Sequence, residues 1–371
     1  MAGLNHKIRT EYGMFMRTIL LSHYKDYPAS EVVDLIKLLY QSEFAGSHMI
    51  SDETASLRRL QAEIEQLRPA DWAGQPLFRE IGNGLCRLNL GPAAEAGLSA
   101  ETINHLFIRA SNQKQGSRPA FEEKLRLLQA CCTEGLLPYP AAFVHEEMRR
   151  LREQGYPPVR HSNAYRAAYH PAYRIIQQEY LTFFSVFCGI DQLLNSTNDS
   201  QRPVTVAIDG MSGSGKSYLA ALLTEIYDCN LFHMDDYFLR PEQRTPQRLA
   251  EIGGNIDYER FSSEISSRLK TGRPFTYRKY DCGNWLLSKP IAVQPKRLNI
   301  IEGVYSLHPA VHACADLKIL IRTTEHTQIQ RIRKRSGTHL LKRFQQAWIP
   351  AETAYFTAFH IEECCDIRII T

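Results

Sequence analysis

Nine cysteines without a single C-x-x-C pair exclude a disulfide framework and a zinc ribbon for this chain. They include the adjacent pairs Cys131-Cys132 and Cys364-Cys365, and free, mostly buried thiols are the expectation. No apolar run reaches the ~18–20 residues that cross a bilayer, and residues 1–9 lack the apolar core of a signal peptide. A cytoplasmic location and no membrane partner are expected. Charge of one sign is scarce too. A formal net charge of +4 excludes the basic stripe with interleaved aromatics that marks a nucleic-acid binder. There is no internal repeat and no Asn-Lys-x-Asp segment of the kind that reads guanine. What remains is a 371-residue chain, 44% hydrophobic and 23% charged, which is globular in composition and too long for one ordinary core. Two domains are the default.

The most informative stretch present is Gly210-Met-Ser-Gly-Ser-Gly-Lys216-Ser217, between the apolar run Val204–Ile208 and the helix-forming run that starts at Tyr218. A strand that turns into a helix here aims consecutive backbone N–H groups and the positive end of the helix at one point. Glycines let that backbone curl round phosphate oxygens, Lys216 reaches the outer phosphates, and the Ser217 hydroxyl suits Mg²⁺. Gly210, Ser212, Gly213, Ser214, Gly215, Lys216 and Ser217 are therefore the expected nucleoside-triphosphate contacts.

Residues 1–195 read as mainly helical. Val32, Leu35, Ile36, Leu39 and Tyr40 repeat at helical spacing after Ser30, and Leu57, Leu60, Ile64 and Leu67 form a second apolar face. Ser99 is the expected cap of a third helix, Phe121 lies in a fourth, and Pro171 is expected to open a helix that carries Tyr173, Ile176, Tyr180 and Phe187. The polar stretch 196–203 reads as an interdomain linker. Beyond it, residues 204–371 alternate short apolar runs with helical segments, and Val204–Ile208, Asn230–Met234, Leu298–Ile301, Leu317–Ile321 and Ile367–Ile370 are the expected strands of a parallel sheet covered on both faces.

Carboxylates fall at the ends of those strands, where ligands bind in such sheets. Asp235 follows the second strand and is the first choice as general base for an attacking hydroxyl, while Asp236 suits a metal-bound water or the turn itself. Glu302 closes the third strand just before Gly303 and fits a Mg²⁺ role beside Ser217. Downstream, Arg331, Arg333, Lys334 and Arg335 suit an anionic small ligand.

The order of these motifs resembles the uridine kinase and phosphoribulokinase branch of P-loop kinases. The matching pieces are Gly210–Ser217, the segment at Asp235, Asn255–Phe261, Tyr277–Tyr280, Ile301–Gly303 and Arg331–Arg335, all within residues 203–371. The resemblance implies a P-loop NTPase-type α/β fold, a parallel sheet flanked by helices, behind the mainly α-helical N-terminal domain. It implies ATP and Mg²⁺ as cofactors, Asp235 as base, Ser217 and Glu302 on the metal, and a basic lid with Arg331 and Arg335 over the phosphates. Asp236, Phe238, Asp257 and Tyr277 become the substrate-side candidates. Cys282 falls near the position of a pyrimidine-reading histidine, which argues against uridine and leaves anionic or polyol acceptors open. The expected activity is phosphoryl transfer from ATP to a hydroxyl of a small molecule. A pantothenate- or glycerate-type kinase and an NTP-sensing regulatory protein stay open as alternatives.

The N-terminal region resembles no family. Tyr40–His48, with Glu43 and His48, reads as a helix-end pair rather than a site, and Gly82-Asn-Gly84 as a turn. Tyr165, Tyr169 and Tyr173 beside Arg166 and Arg174 read as packing between domains or a wall of the acceptor pocket. The region is expected to shape that pocket or an interface, and self-association stays open.

Overall fold

The computed structural model describes residues 2–46, 49–113, 116–196 and 202–371, with side chains from Tyr12 onward. His48 and residues 197–201 of the expected linker lie outside the described residues. Two compact units are present, the first ending at Leu181 and the second spanning Thr182–Thr371.

The first unit is mainly helical, as its apolar spacing predicts. Val32–Phe44 buries Leu35, Leu38 and Leu39 against Phe121, Leu125 and Leu128 of Arg118–Thr133. Each fully buried leucine or phenylalanine contributes about 1.5–3 kcal/mol. Ser117 caps the second of these helices by accepting from the Ala120 N–H, and Ser99 accepts from Thr102 N–H at the start of Ala100–Gln113. Ser30 does not cap its helix: its hydroxyl donates to the Tyr27 carbonyl, and Asp34 receives the Glu31 N–H from inside.

A three-stranded antiparallel sheet, Phe78–Gly82, Leu85–Asn89 and Tyr173–Gln177 in that order, was not expected. Its hairpin turns on Asn83 and Gly84, both at positive φ, the geometry that matches strand twist. The helix expected from Pro171 is therefore corrected. Tyr173–Gln177 pairs along Leu85–Asn89, because Ile175 and Ile176 gain more by covering that sheet than by continuing a helical face, and the helix proper begins at Phe184. Tyr165 stacks on His161 at 4.2 Å, and the Tyr173 hydroxyl meets the other side of the same imidazole at 2.7 Å, inside the first unit.

The second unit holds five parallel strands, in the order Ile367–Ile370, Leu317–Arg322, Val204–Gly210, Leu298–Glu302, Cys229–His233. All five were legible as apolar runs. The Val204–Gly210 strand is central and buried along its whole length. Its neighbours on either side come from late in the chain, so a crevice opens at its carboxyl end. Helix Phe184–Ser196 packs on this sheet: the Tyr227 hydroxyl donates to Asp191, and Arg297 donates to the Leu194 carbonyl. It belongs to the second unit, so the boundary expected at 195 moves to 181/182.

Candidate active site

The loop Gly210–Ser217 leaves the central strand and enters helix Lys216–Ile226. Three glycines hold it at positive φ: Gly210 at 149°, Gly213 at 79° and Gly215 at 106°. A Cβ at Gly210 would stand 2.2 Å from the Ile321 carbonyl oxygen, so only glycine lets the loop close on the neighbouring strand. Lys216 is buried and donates to the carbonyls of Gly210 at 2.6 Å and Met211 at 3.1 Å. An ammonium carries three N–H bonds, so one remains for a ligand in the loop.

Strand register assembles the acidic side. Glu302 sits level with His233 on one neighbouring strand and with Ile208 on the other. Its carboxylate oxygens both lie 3.4 Å from Ser217 Oγ, and one accepts from His233 Nδ1 at 2.6 Å. That hydrogen bond raises the His233 imidazole above its ordinary pKa, against the cost of burial. A hydroxyl and a carboxylate are hard oxygen donors that fit Mg²⁺, which takes few protein ligands and completes its shell with phosphate and water. Among the described residues no group of three His, Cys, Asp or Glu forms a separate metal cluster.

Asp235 is the second residue of the turn Met234–Tyr237, which follows strand Cys229–His233. Solvent reaches its side chain. Water lost to the surrounding protein, and then the Glu302 charge, raise its carboxyl above the usual range, while Lys216 and His233 pull it down. Glu302, Lys216 and His233 thus all act electrostatically on Asp235. Asp236 is occupied differently: its carboxylate pairs with Lys279 at 3.0 Å and its carbonyl accepts from Arg260.

The remaining predicted residues spread out. Asp257 is buried and accepts from the Arg260 N–H as a helix cap and from Gln243 Nε2, so both its oxygens serve the protein. Tyr277 is buried edge-on to Phe232. Phe238 is partly buried and bridges to Ile256. Arg331 grips the loop from outside, donating to the carbonyls of Gly213 and Ser214 at 3.3 Å and to Thr371 Oγ1 at 2.8 Å. Arg335 is exposed, bonded to Ser336 and set over the Phe344 ring.

Four residues at the loop had no sequence signal strong enough to select them: His233, Asp209, Gln328 and Glu352. Asp209, fully buried, accepts from the N–H groups of Gly210 and Leu307 and from the Tyr355 hydroxyl. Burial pushes its carboxyl up to about 6. Gln328 donates to the Ser212 carbonyl, and Glu352 accepts from the Ser212 N–H and hydroxyl. Strand order and the packing of helices Glu325–Arg343 and Ile349–Ala358 put them there, and neither is written in local spacing.

No protein-family model matches the chain, and no curated protein matches it. Solved structures do. Similar to this chain are a possible uridine kinase from Bacillus stearothermophilus, at 21% identity over 49% of this chain and 97% of that one, with a TM-score of 0.37; a protein assigned as a fructose transport system kinase from Silicibacter, at 22% over 48% and 95%, TM-score 0.40; and D-glycerate 3-kinase from Cryptococcus neoformans, at 14% over 47% and 86%, TM-score 0.34. These structures cover about half of this chain, its C-terminal half, which carries the loop and the five parallel strands.

Proposed function

We propose that residues 182–371 form an ATP-dependent kinase that transfers the γ-phosphoryl group to a hydroxyl of a small molecule. The observation that carries this reading is the meeting of three parts at the end of one sheet: a glycine loop with Lys216, the Ser217–Glu302 pair, and a separate carboxylate, Asp235. A protein that only senses nucleotide has no use for the third. Loop amides and the remaining Lys216 N–H hold the triphosphate. Ser217 and Glu302 would hold Mg²⁺, which when bound neutralises charge on the phosphate oxygens. His233 keeps Glu302 turned toward Ser217. Asp235 takes the proton of the attacking hydroxyl, and its raised pKa makes it a better base than an ordinary carboxylate. Arg331 steadies the loop, and Arg335 supplies charge from the lid.

For the acceptor, an anionic or polyol molecule is favoured over a pyrimidine nucleoside. Cys282 cannot supply a base-reading imidazole, and the charge of Arg244, which reaches it along with those of Asp281 and Asp235, supports an anionic acceptor. Incubating the full chain with Mg-ATP and panels of nucleosides, vitamins, sugars and sugar acids, and reading product masses, tests the reading. It expects one phosphoryl group gained on a sugar acid or polyol. Transfer to uridine alone overturns the acceptor assignment, and nucleotide binding with no transfer to any panel supports a sensor instead.

A further inference from the structure

The phosphate loop is held by two helices. Helix Glu325–Arg343 reaches the loop through Gln328, on the Ser212 carbonyl at 2.8 Å, and through Arg331. Helix Ile349–Ala358 reaches it through Glu352, whose carboxylate accepts the Ser212 N–H at 2.9 Å and the Ser212 hydroxyl at 2.5 Å. Between the two grips the chain breaks at Gly337, with φ 74° and ψ 172°, and passes through the π-helical turn Phe344–Trp348. Most of the intervening side chains are exposed, Lys342 and Arg343 among them. Both ends of this segment are therefore tied to the same residue, Ser212, one through its carbonyl and one through its N–H and hydroxyl.

A carboxylate is a costly choice for that second tie. Glu352 is only 4% exposed, and it adds negative charge close to where triphosphate oxygens are to sit. Its surroundings carry the charges of Lys216 and Asp235 as well. Ser212 offers it two donors, and a buried carboxylate with two donors is held far more rigidly than a neutral acceptor with one. Packing alone would be served by leucine.

We infer that Glu352 is a positioning residue that couples the phosphate loop to the mostly exposed segment 338–348, which continues the basic lid stretch. Through Ser212 it fixes the loop in its phosphate-ready curl, and it transmits a change at the loop to the helix that ends the lid. This rests on the nucleotide-binding reading of the loop.

The test uses the full chain, with Mg-ATP as the probe in calorimetry and in limited trypsin digestion at Lys342 and Arg343. In the wild type, Mg-ATP binds and slows cleavage at these sites. Glu352→Ala weakens binding about tenfold, as loss of a charge-assisted acceptor predicts, and cleavage becomes insensitive to nucleotide. Glu352→Gln keeps an acceptor and recovers most of both effects. Ser212→Ala weakens binding about threefold, and adding it to Glu352→Ala costs little more, because the two side chains act as one unit. Wild-type affinity and protection in Glu352→Ala, with only a lower melting temperature, would reduce the residue to packing and overturn the inference. If Glu352→Ala does not fold, unchanged affinity and protection in both Glu352→Gln and Ser212→Ala overturn it equally. Failure of the wild type itself to bind Mg-ATP removes the nucleotide reading and the inference with it, and is recognised in the wild type alone.

Discussion

Lys216 spends two of its three N–H bonds on the carbonyls of Gly210 and Met211, so it braces the loop and keeps one N–H for the proposed triphosphate. Lys216→Ala removes both functions, and nucleotide affinity is expected to fall at least ~10-fold with turnover lost, as read by calorimetry and by phosphate transfer. Asp235 and Asp236 adjoin in sequence but hold different posts. Asp235 stands under the charges of Glu302 and Lys216, whereas Asp236 is neutralised by Lys279. Asp235→Asn should therefore lower turnover by at least ~10²-fold with nucleotide affinity kept, and Asp236→Asn should do less. Single-turnover rates decide between them, and the reverse order would move the base to Asp236. These candidates were selected because the loop and the strand-end acids are local patterns. His233 and Glu352 were not, since their partners are 69 and 140 residues away in sequence.

Helix Glu325–Arg343 carries its loop contacts before Gly337 and its exposed basic end after it. Nothing crowds Gly337, so space for a methyl group exists and only the backbone forbids it: φ 74° with ψ 172° suits glycine alone. Gly337→Ala is expected to cost about 1–3 kcal/mol if the break is kept, or to straighten the helix and displace the segment 338–348. Either way turnover falls while Mg-ATP affinity on the loop holds, and equal turnover with an equal melting temperature would show that the break has no role. At this scale the second unit was legible almost strand for strand, because a parallel sheet buried on both faces leaves continuous apolar runs. The first unit was not. Tyr173, Ile176 and Tyr180 fit helical spacing, and only pairing with Leu85–Asn89, whose residues lie about 90 positions upstream, makes a strand of Tyr173–Gln177. Asp257 shows the same limit at the site, since a carboxylate placed by motif order toward a substrate is used up by a helix cap and Gln243.

The two units carry different vulnerabilities. In the first, burial holds the His23 imidazole down to about 2 and His161 to about 4, against 6.5 when free. Below pH 6.5 the unfolded chain therefore takes up protons that the folded one refuses, so stability falls as pH falls, by on the order of 1 kcal/mol per pH unit for each imidazole. The loss runs from 6.5 down to about 4 for His161 and further for His23. Denaturant unfolding of the full chain between pH 6.5 and about 5 should show this slope, and His23→Leu should flatten it; an unchanged slope would remove His23 from the balance. In the second unit, Leu317 and Ile367 lie under helix Phe184–Ser196, within 3.3 Å of a Cβ built at Gly189. A fragment of residues 182–371 should accordingly be soluble and melt well above one of residues 204–371, which exposes those side chains; equal behaviour of the two would restore the boundary at 195. Whether the loop Gly210–Ser217 receives a nucleoside triphosphate through Lys216 and its backbone amides, as proposed, is decided by calorimetric titration of Mg-ATP into the full chain and into Lys216→Ala. Saturable binding at one site in the wild type and its loss in the variant are expected; the same binding curve in both proteins, or none in the wild type, would rule the proposal out.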